Sequence, residues 1–160
     1  MGYDIHTILT DAGNKIANAT TFSAITGNKS ITDDMWFSAD DIAKIPHIKE
    51  ARWADTIVVC PASADFIAKM AYGFADSIAS ATVLAFVGMK KEFENKKIFV
   101  APAMNNYMYT NRITQDNIER LKTYGFKIIN PIVGTLACGD TAIGHLKPID
   151  EIIEKITKRG

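Results

Sequence analysis

The chain has 160 residues, with 18 basic and 18 acidic side chains and hydrophobic residues at 48% of positions. The charge balance gives no general pull on nucleic acid or on an anionic lipid surface, and the length suits a single domain over 1–160 with a sizeable core. No apolar run reaches the ~20 residues that span a bilayer, and Met1-Gly2-Tyr3-Asp4 lacks the pattern of a signal peptide; two cysteines, Cys60 and Cys138, suit a reducing, cytoplasmic setting rather than a disulfide scaffold.

Taken in order, Ile5 to Thr10 reads as a short strand, and Thr20 as the cap of a short helix that stops at Gly27. Lys29 to Lys44 is polar and mixed, a loop with weak helix, and His47 to Trp53 reads as a helix leading into a strand. Thr56-Ile57-Val58-Val59-Cys60 is a β-branched apolar run of the kind buried on both faces of a parallel sheet, ended by Pro61. Ile67, Met70 and Ala71 share a helical face, Gly73 breaks the pattern, and Asp76 to Val87 resumes it. Lys97 to Ala101 is a second buried-type strand, stopped by Pro102. Thr114 to Tyr124 follows as a helix with Thr114 as cap, closed by Gly125; Phe126 to Ile129 is a third strand. Ile149, Ile152, Ile153 and Ile156 mark an amphipathic C-terminal helix.

Strands alternating with helices imply an α/β fold with a mostly parallel, doubly wound sheet, whose ligands sit at the carboxyl ends of the strands. Two strands here run straight into Pro-Ala loops. The first, Pro61 to Asp65, is small and polar, so that backbone amides and the following helix start can approach a flat or phosphorylated ligand; its plainer reading is a turn capped by Ser63 or Asp65. The second, Pro102-Ala103-Met104-Asn105-Asn106-Tyr107-Met108-Tyr109, concentrates amides able to hold a carboxylate, or is a loop with Met104 and Met108 packed inward. The segment Gly134 to Leu146 carries three glycines and Cys138, which suits a mobile flap with a thiol acid or nucleophile, or an ordinary turn. His47, just after Pro46, is a candidate proton carrier. His6 and His145 read as structural and Cys60 as a small core residue; no metal-spaced cluster is present.

Together these segments resemble the flavoprotein family of cysteine decarboxylases, closest to its coenzyme A branch. The family's first motif, Pro-Ala-Ser-Ala-Asn-Thr, corresponds to Pro61-Ala62-Ser63-Ala64-Asp65-Phe66. Its second, Pro-x-Met-Asn-x-x-Met-Trp, corresponds to Pro102 to Tyr109, with Tyr109 for the tryptophan. Its substrate clamp corresponds to Leu136-Ala137-Cys138-Gly139, and its active-site histidine helix to His47 through Asp55. These motifs occur in the family's order across nearly the whole chain.

The resemblance implies a Rossmann-like flavoprotein domain binding FMN, in a homotrimer or a larger assembly of trimers such as a dodecamer. It implies FMN contacts from Thr10, Ser63, Ala64, Asp65, Phe66 and Ala103. It makes His47, Asn105 and Cys138 catalytic, with Asn105 on the substrate carboxylate and Thr135, Ala137 and Leu146 along the substrate. The implied reaction is decarboxylation of phosphopantothenoylcysteine, with no metal. Transient oxidation of the thiol by FMN creates an electron sink, CO2 leaves, and the hydride returns with a proton from Cys138. The alternatives are a peptidyl-cysteine decarboxylase of lantibiotic synthesis and a non-catalytic flavin-binding regulatory subunit.

The family opens with a strand and a Gly-Ser-rich turn against the flavin. This chain opens at what corresponds to the second strand, so the family's N-terminal strand is expected to be missing, through a misassigned start or a truncated sequence. Asp65 stands for the motif's asparagine. Ala142, His145 and Leu146 stand where many members have glycine, arginine and methionine.

Overall fold

A computed structural model describes residues 2–36, 45–89 and 95–158. The chain divides into two compact units, one of residues 1–53 and 74–89, the other of 54–73 and 90–160.

In the first unit the N-terminal stretch is extended. It forms a single parallel bridge, Ile8 to Ile31, flanked by Leu9 N–H donating to Ile31 O and Ile31 N–H donating to Thr7 O, both at 2.9 Å. The strand expected over Ile5 to Thr10 is thus reduced to this bridge. Helices α1 (Asp11–Ile16) and α2 (Ala19–Thr26) follow. The cap of α2 is Asn18, whose Oδ1 accepts from Thr20 N at 2.8 Å, so Thr20 lies inside the helix rather than at its head. Asn18 wins because an Asx side chain reaches the N–H two residues ahead. Gly27 ends α2 in the left-handed region. Lys29 to Lys44 contains a 3-10 turn over Asp33–Met35; positions 37–44 of that expected loop lie outside the described residues.

Helix α3 (Pro46–Trp53) packs on α5 (Ile78–Met89), which is apolar along most of its length and buries Ile78 through Val83 and Phe86. Asp33 Oδ1 accepts from Ile78 N at 2.7 Å and fixes where α5 begins, two residues later than the sequence suggests.

In the second unit, β1 (Thr56–Ala62), β2 (Lys97–Pro102) and β3 (Lys127–Ile128) form a parallel sheet in the order β1-β2-β3. Strand β2 is central and buried on both faces, as the sequence suggests; Phe99 and Ala101 share one face and pack with Ile129, Ile152, Leu146 and Ile156. Strand β1 differs from expectation. It runs through Pro61, and because it is the outer strand of this sheet Val58 is 38% exposed and Cys60 is exposed, not a core residue. A register shift between Val59 and Ala62 marks a bulge around Cys60 and Pro61.

Helix α4 (Ala64–Tyr72) buries Ile67, Met70 and Ala71, the face read from the sequence, against α7 (Arg112–Thr123). Gly73 caps α4 in the left-handed region. The short α6 (Asn106–Thr110) precedes α7. The cap of α7 is Asn111, not Thr114: Asn111 Oδ1 accepts from Ile113 N at 2.9 Å, and Thr114 is buried one turn in. The glycine-bearing segment, expected as a mobile flap, is an antiparallel hairpin of β4 (Ile132–Thr135) and β5 (Thr141–His145). Helix α8 (Ile149–Thr157) closes the unit, turning Ile152 inward.

Candidate functional site

Three loops of the second unit converge at the carboxyl ends of β1 and β2. Ala62 pairs with Pro102, and Ala103 N–H donates to Ala62 O at 3.1 Å, so the two Pro-Ala loops lie side by side. In the first, Ser63 is the N-cap of α4, its Oγ accepting from Phe66 N at 3.2 Å. Asp65 lies in the first turn, exposed, and pairs with Lys69 one turn on at 3.4 Å.

In the second loop, Asn105 begins α6, with Oδ1 accepting from Tyr107 N at 2.9 Å. Its amide Nδ2 is left for another partner and donates to Cys138 Sγ at 3.4 Å. Met108 is 49% exposed and does not fill the core.

The hairpin is clasped to this loop. Met104 N–H donates to Gly144 O at 3.1 Å, and a Cβ placed on Gly144, whose φ is +126°, would lie 2.2 Å from Met104 O. Only glycine admits that approach. Leu136, 8% exposed, anchors the hairpin tip, whereas Thr135, Ala137, Cys138 and Asp140 are exposed. Gly139 N–H closes a turn onto Leu136 O at 2.9 Å, Leu136 N–H donates to Asp140 O at 2.8 Å, and Cys138 Sγ lies 3.5 Å from Asp140 Oδ2. Across the hairpin, His145 Nδ1 meets Thr135 O at 2.9 Å, and the ring packs where a Cβ on Gly134 would stand.

The sequence singled out Asn105 and Cys138, and the fold brings them together. Thr135 and Ala137 share the hairpin with Cys138. Leu146 lies just beyond it, packed against the core cluster of Phe99, Ala101, Ile129 and Ile152. Two contributors escaped the sequence: Asp140, whose contact needs the turn geometry, and Gly144, whose role depends on an approach by a segment 40 residues away. Counting glycines flagged the segment but not which one mattered.

The remaining candidates belong to the first unit. Thr10 is the N-cap of α1, its Oγ1 accepting from Gly13 N at 3.1 Å. His47 sits at the start of α3 beside Trp36, ring centroids 5.6 Å apart and edge-on. Its Nδ1 is buried without a hydrogen-bond partner among the described residues, and desolvation pulls its pKa below the ordinary imidazole value. On the same helix, Glu50 is 4% exposed and paired with His6 Nδ1 at 2.6 Å, and the His6 ring stacks on Trp53 at 3.6 Å.

Whether a flavin suits these residues is a question of donors and room. Ser63, Ala64 and Ala103 are small and border the N-terminal turn of a nine-residue helix, which favours an anionic or acceptor-rich ligand. The Asp65 charge, adverse there, is offset by Lys69. Within this unit the buried Asn106 Oδ1 is a polar atom for which the described residues supply no partner. The residues fit such a group. Among the described residues no cluster of His, Cys, Asp and Glu could hold a metal ion, and no helix is long and apolar enough to cross a membrane.

Known proteins give the same picture. A probable phosphopantothenoylcysteine decarboxylase of Streptococcus mutans is 39% identical over 159 residues, covering 99% of this chain and 84% of that protein. The coenzyme A biosynthesis bifunctional protein CoaBC of Borreliella burgdorferi is 38% identical over 156 residues; the match covers 98% of this chain but 37% of the bifunctional protein. Among solved structures, a cysteine-to-serine mutant of PPC decarboxylase complexed with pantothenoylaminoethenethiol superposes with a TM-score of 0.79 at 28% identity, over 96% of this chain and 81% of that one. The FMN-dependent cysteine decarboxylase SpaF matches with a TM-score of 0.74 at 29% identity, over 94% and 76%. The family model described as Flavoprotein matches residues 1–160, and with the loops and topology above this places the chain in the Flavoprotein family.

Proposed function

We propose that this chain is a phosphopantothenoylcysteine decarboxylase, a carboxy-lyase of coenzyme A biosynthesis that uses FMN. The observation that carries the reading is the Asn105 amide 3.4 Å from the Cys138 thiol, joining the second Pro-Ala loop to the hairpin tip. A neutral amide can hold a substrate carboxylate through hydrogen bonds without the charge that would retain it as CO2 forms. A thiol at the same place can return a proton to the carbon the carboxylate has left. The similarity to the Streptococcus mutans decarboxylase and to the PPC decarboxylase structure supports this chemistry over other reactions of the fold.

In this reading Ser63, Ala64, Asp65, Phe66 and Ala103 border the flavin; the family resemblance assigns Thr10 a flavin contact and His47 a catalytic role. When bound, FMN supplies reversible two-electron oxidation of the substrate thiol. The chain's own part is placement. Asn105 orients the carboxylate, Thr135 and Ala137 line the bound substrate with Leu146 behind them, and Cys138 holds a proton at Sγ. His47, kept neutral by burial, is an acceptor at neutral pH.

Residues 1–160 act as one FMN-binding domain in this proposal, working as a homotrimer or an assembly of trimers. Tyr107 at 74%, Ile113 at 72% and the exposed Met108, on α6 and the start of α7, are apolar groups that a second copy would cover. A cytoplasmic location follows from the pathway.

The test is turnover with added FMN. Phosphopantothenoylcysteine should release CO2 and yield phosphopantetheine, and a peptide ending in cysteine should not react. Turnover of the peptide alone would move the assignment to peptide-modifying decarboxylases. A yellow protein inactive on both would leave a flavin-binding regulatory subunit. The Cys138→Ser variant should release CO2 in a single turnover yet form no phosphopantetheine; full turnover by it would remove Cys138 from the reaction.

A further inference from the structure

We propose that His6 is a positioning residue for His47: by holding helix α3 at two points it sets the direction in which the His47 ring is presented. This deepens the decarboxylase reading and rests on His47 as its active-site histidine. All of the residues involved belong to the first unit. His6 Nδ1–H donates to Glu50 Oε2 at 2.6 Å, and the same imidazole stacks on Trp53 with ring centroids 3.6 Å apart and planes 7° from parallel. The hydrogen bond lies in the plane of the imidazole and the stack along its normal. One ring thus restrains α3 in two perpendicular directions.

His47, Glu50 and Trp53 stand three residues apart, along one ridge of the helix. His6 grips the second and third, and the first is the residue whose direction matters. Other packing fixes the rotation of α3 weakly. Its buried residues are Glu50 and Ala51, and an alanine offers no side chain to interlock with α5. Lys49 Nζ lies 4.0 Å from Glu50 Oε1, on an exposed stem that can follow the carboxylate as it moves. The His47 ring does not hold itself: its Nδ1 has no hydrogen bond among the described residues, and Trp36 meets it edge-on at 5.6 Å. Its aim is inherited from the helix. His6 is itself anchored through its neighbour, since Thr7 O accepts from Ile31 N at 2.9 Å and Thr7 Oγ1 meets the buried Ser30 Oγ at 2.6 Å.

A buried carboxylate–imidazole pair adds little stability over apolar side chains of the same size, because desolvation offsets most of the attraction. What it supplies is direction. An N–H and a carboxylate oxygen meet along one line, where two aliphatic side chains settle over a range of angles.

The test is the NMR signal of the His47 ring in protein carrying isotope-labelled histidine; it needs neither flavin nor substrate. The chain has three histidines, so His47→Asn assigns the signal and His145 serves as internal reference. The double variant His6→Leu with Glu50→Leu replaces the pair by apolar side chains and should fold and melt near or above the wild-type temperature. It should nevertheless move the His47 signals beyond their line width and leave those of His145 in place. Its kcat on phosphopantothenoylcysteine should fall on the order of tenfold or more with KM little changed, because Asn105 and Cys138 are untouched. Trp53→Leu removes only the stack, at a residue 43% exposed, and should move the His47 signals by less. Glu50→Gln keeps an acceptor for His6 and should match wild type in signals and kcat; a loss there would assign the effect to charge rather than direction and sink the proposal. Unmoved His47 signals in either folded variant overturn it, as do moved signals with wild-type kcat in the double variant. A double variant that does not fold overturns it too, since the pair is then needed for the fold itself. The NMR readout is independent of turnover. Failure of the wild-type protein to decarboxylate phosphopantothenoylcysteine, with His47 moving as expected in the variants, would sink the functional reading alone. Normal turnover with His47 unmoved would sink only the role of His6.

Discussion

Asn105 and Cys138, 33 positions apart, meet through a 3.4 Å contact from amide nitrogen to sulfur, while the oxygen of the same amide starts α6. One side chain thus serves the fold with one atom and the site with another. Asn105→Asp separates the two. The carboxylate can still accept from Tyr107 N, so the melting temperature should stay within a few degrees of wild type. It cannot donate to Cys138 and would repel a substrate carboxylate, so kcat/KM should fall by roughly a hundredfold or more. Thermal melts and steady-state kinetics on one preparation decide it; a folded variant with wild-type kcat/KM would remove Asn105 from substrate binding.

Gly144 and Gly139 both have positive φ, yet their substitutions should differ. At Gly139 a Cβ meets nothing within 4 Å, so Gly139→Ala should cost about 1 kcal/mol, from backbone strain alone. At Gly144 the Cβ would overlap Met104 O, so Gly144→Ala should cost about 3 kcal/mol or free the hairpin from the second loop. Urea unfolding gives both numbers. Equal costs would show that the clasp is not structural.

The buried Glu50 carboxylate is balanced by His6, which is only partly exposed. Glu50→Ala should therefore lower stability by roughly 2 kcal/mol, and His6→Ala, which leaves the buried carboxylate only Lys49 Nζ at 4.0 Å, by a similar amount. In a double-mutant cycle the two should be clearly non-additive. Additive losses would mean that the 2.6 Å contact carries no coupling.

His47 gives the chain a pH dependence of known sign. Burial lowers its pKa, so as pH drops below about 6.5 the unfolded chain binds a proton that the folded chain does not. Its contribution to stability is therefore whole above about 6.5 and is lost as pH falls toward the lowered value. His47→Asn should flatten this part of the stability curve relative to wild type. Urea midpoints across pH 5 to 8 check it, and parallel curves for the two proteins would contradict the assignment.

What the sequence made legible followed from strong local signals. The β-branched runs at Ile57-Val58-Val59 and Ile98-Phe99-Val100 marked the strands, and Ile67, Met70 and Ala71 marked a helical face that the fold buries. Caps were misplaced by two or three residues, because Asn18 and Thr20, like Asn111 and Thr114, are both competent capping types, and only the geometry chooses. The hairpin β4-β5 leaves little strand signal, because each short strand, Ile-Val-Gly-Thr and Thr-Ala-Ile-Gly-His, is interrupted by a glycine. Cys60 was placed in the core because an apolar run does not reveal which strand stands outermost. Motif resemblance singled out Asn105 and Cys138 one by one, and the fold supplied their contact. The Asp140 contact could not be read, being made across a turn that leaves no periodic trace.

The bulge at Cys60 and Pro61 sets the phase of the two Pro-Ala loops. Three steps along β1, from Val59 to Ala62, are matched by two along β2, from Val100 to Pro102. Were the same residues paired without the bulge, Pro61 would stand opposite Pro102, and Ser63 would sit one step, about 3.3 Å, farther along relative to Ala103. The spacing between two loops 40 residues apart is thus decided by one supernumerary position. Flattening the bulge without removing a residue would leave every site side chain in the chain and still put them out of step.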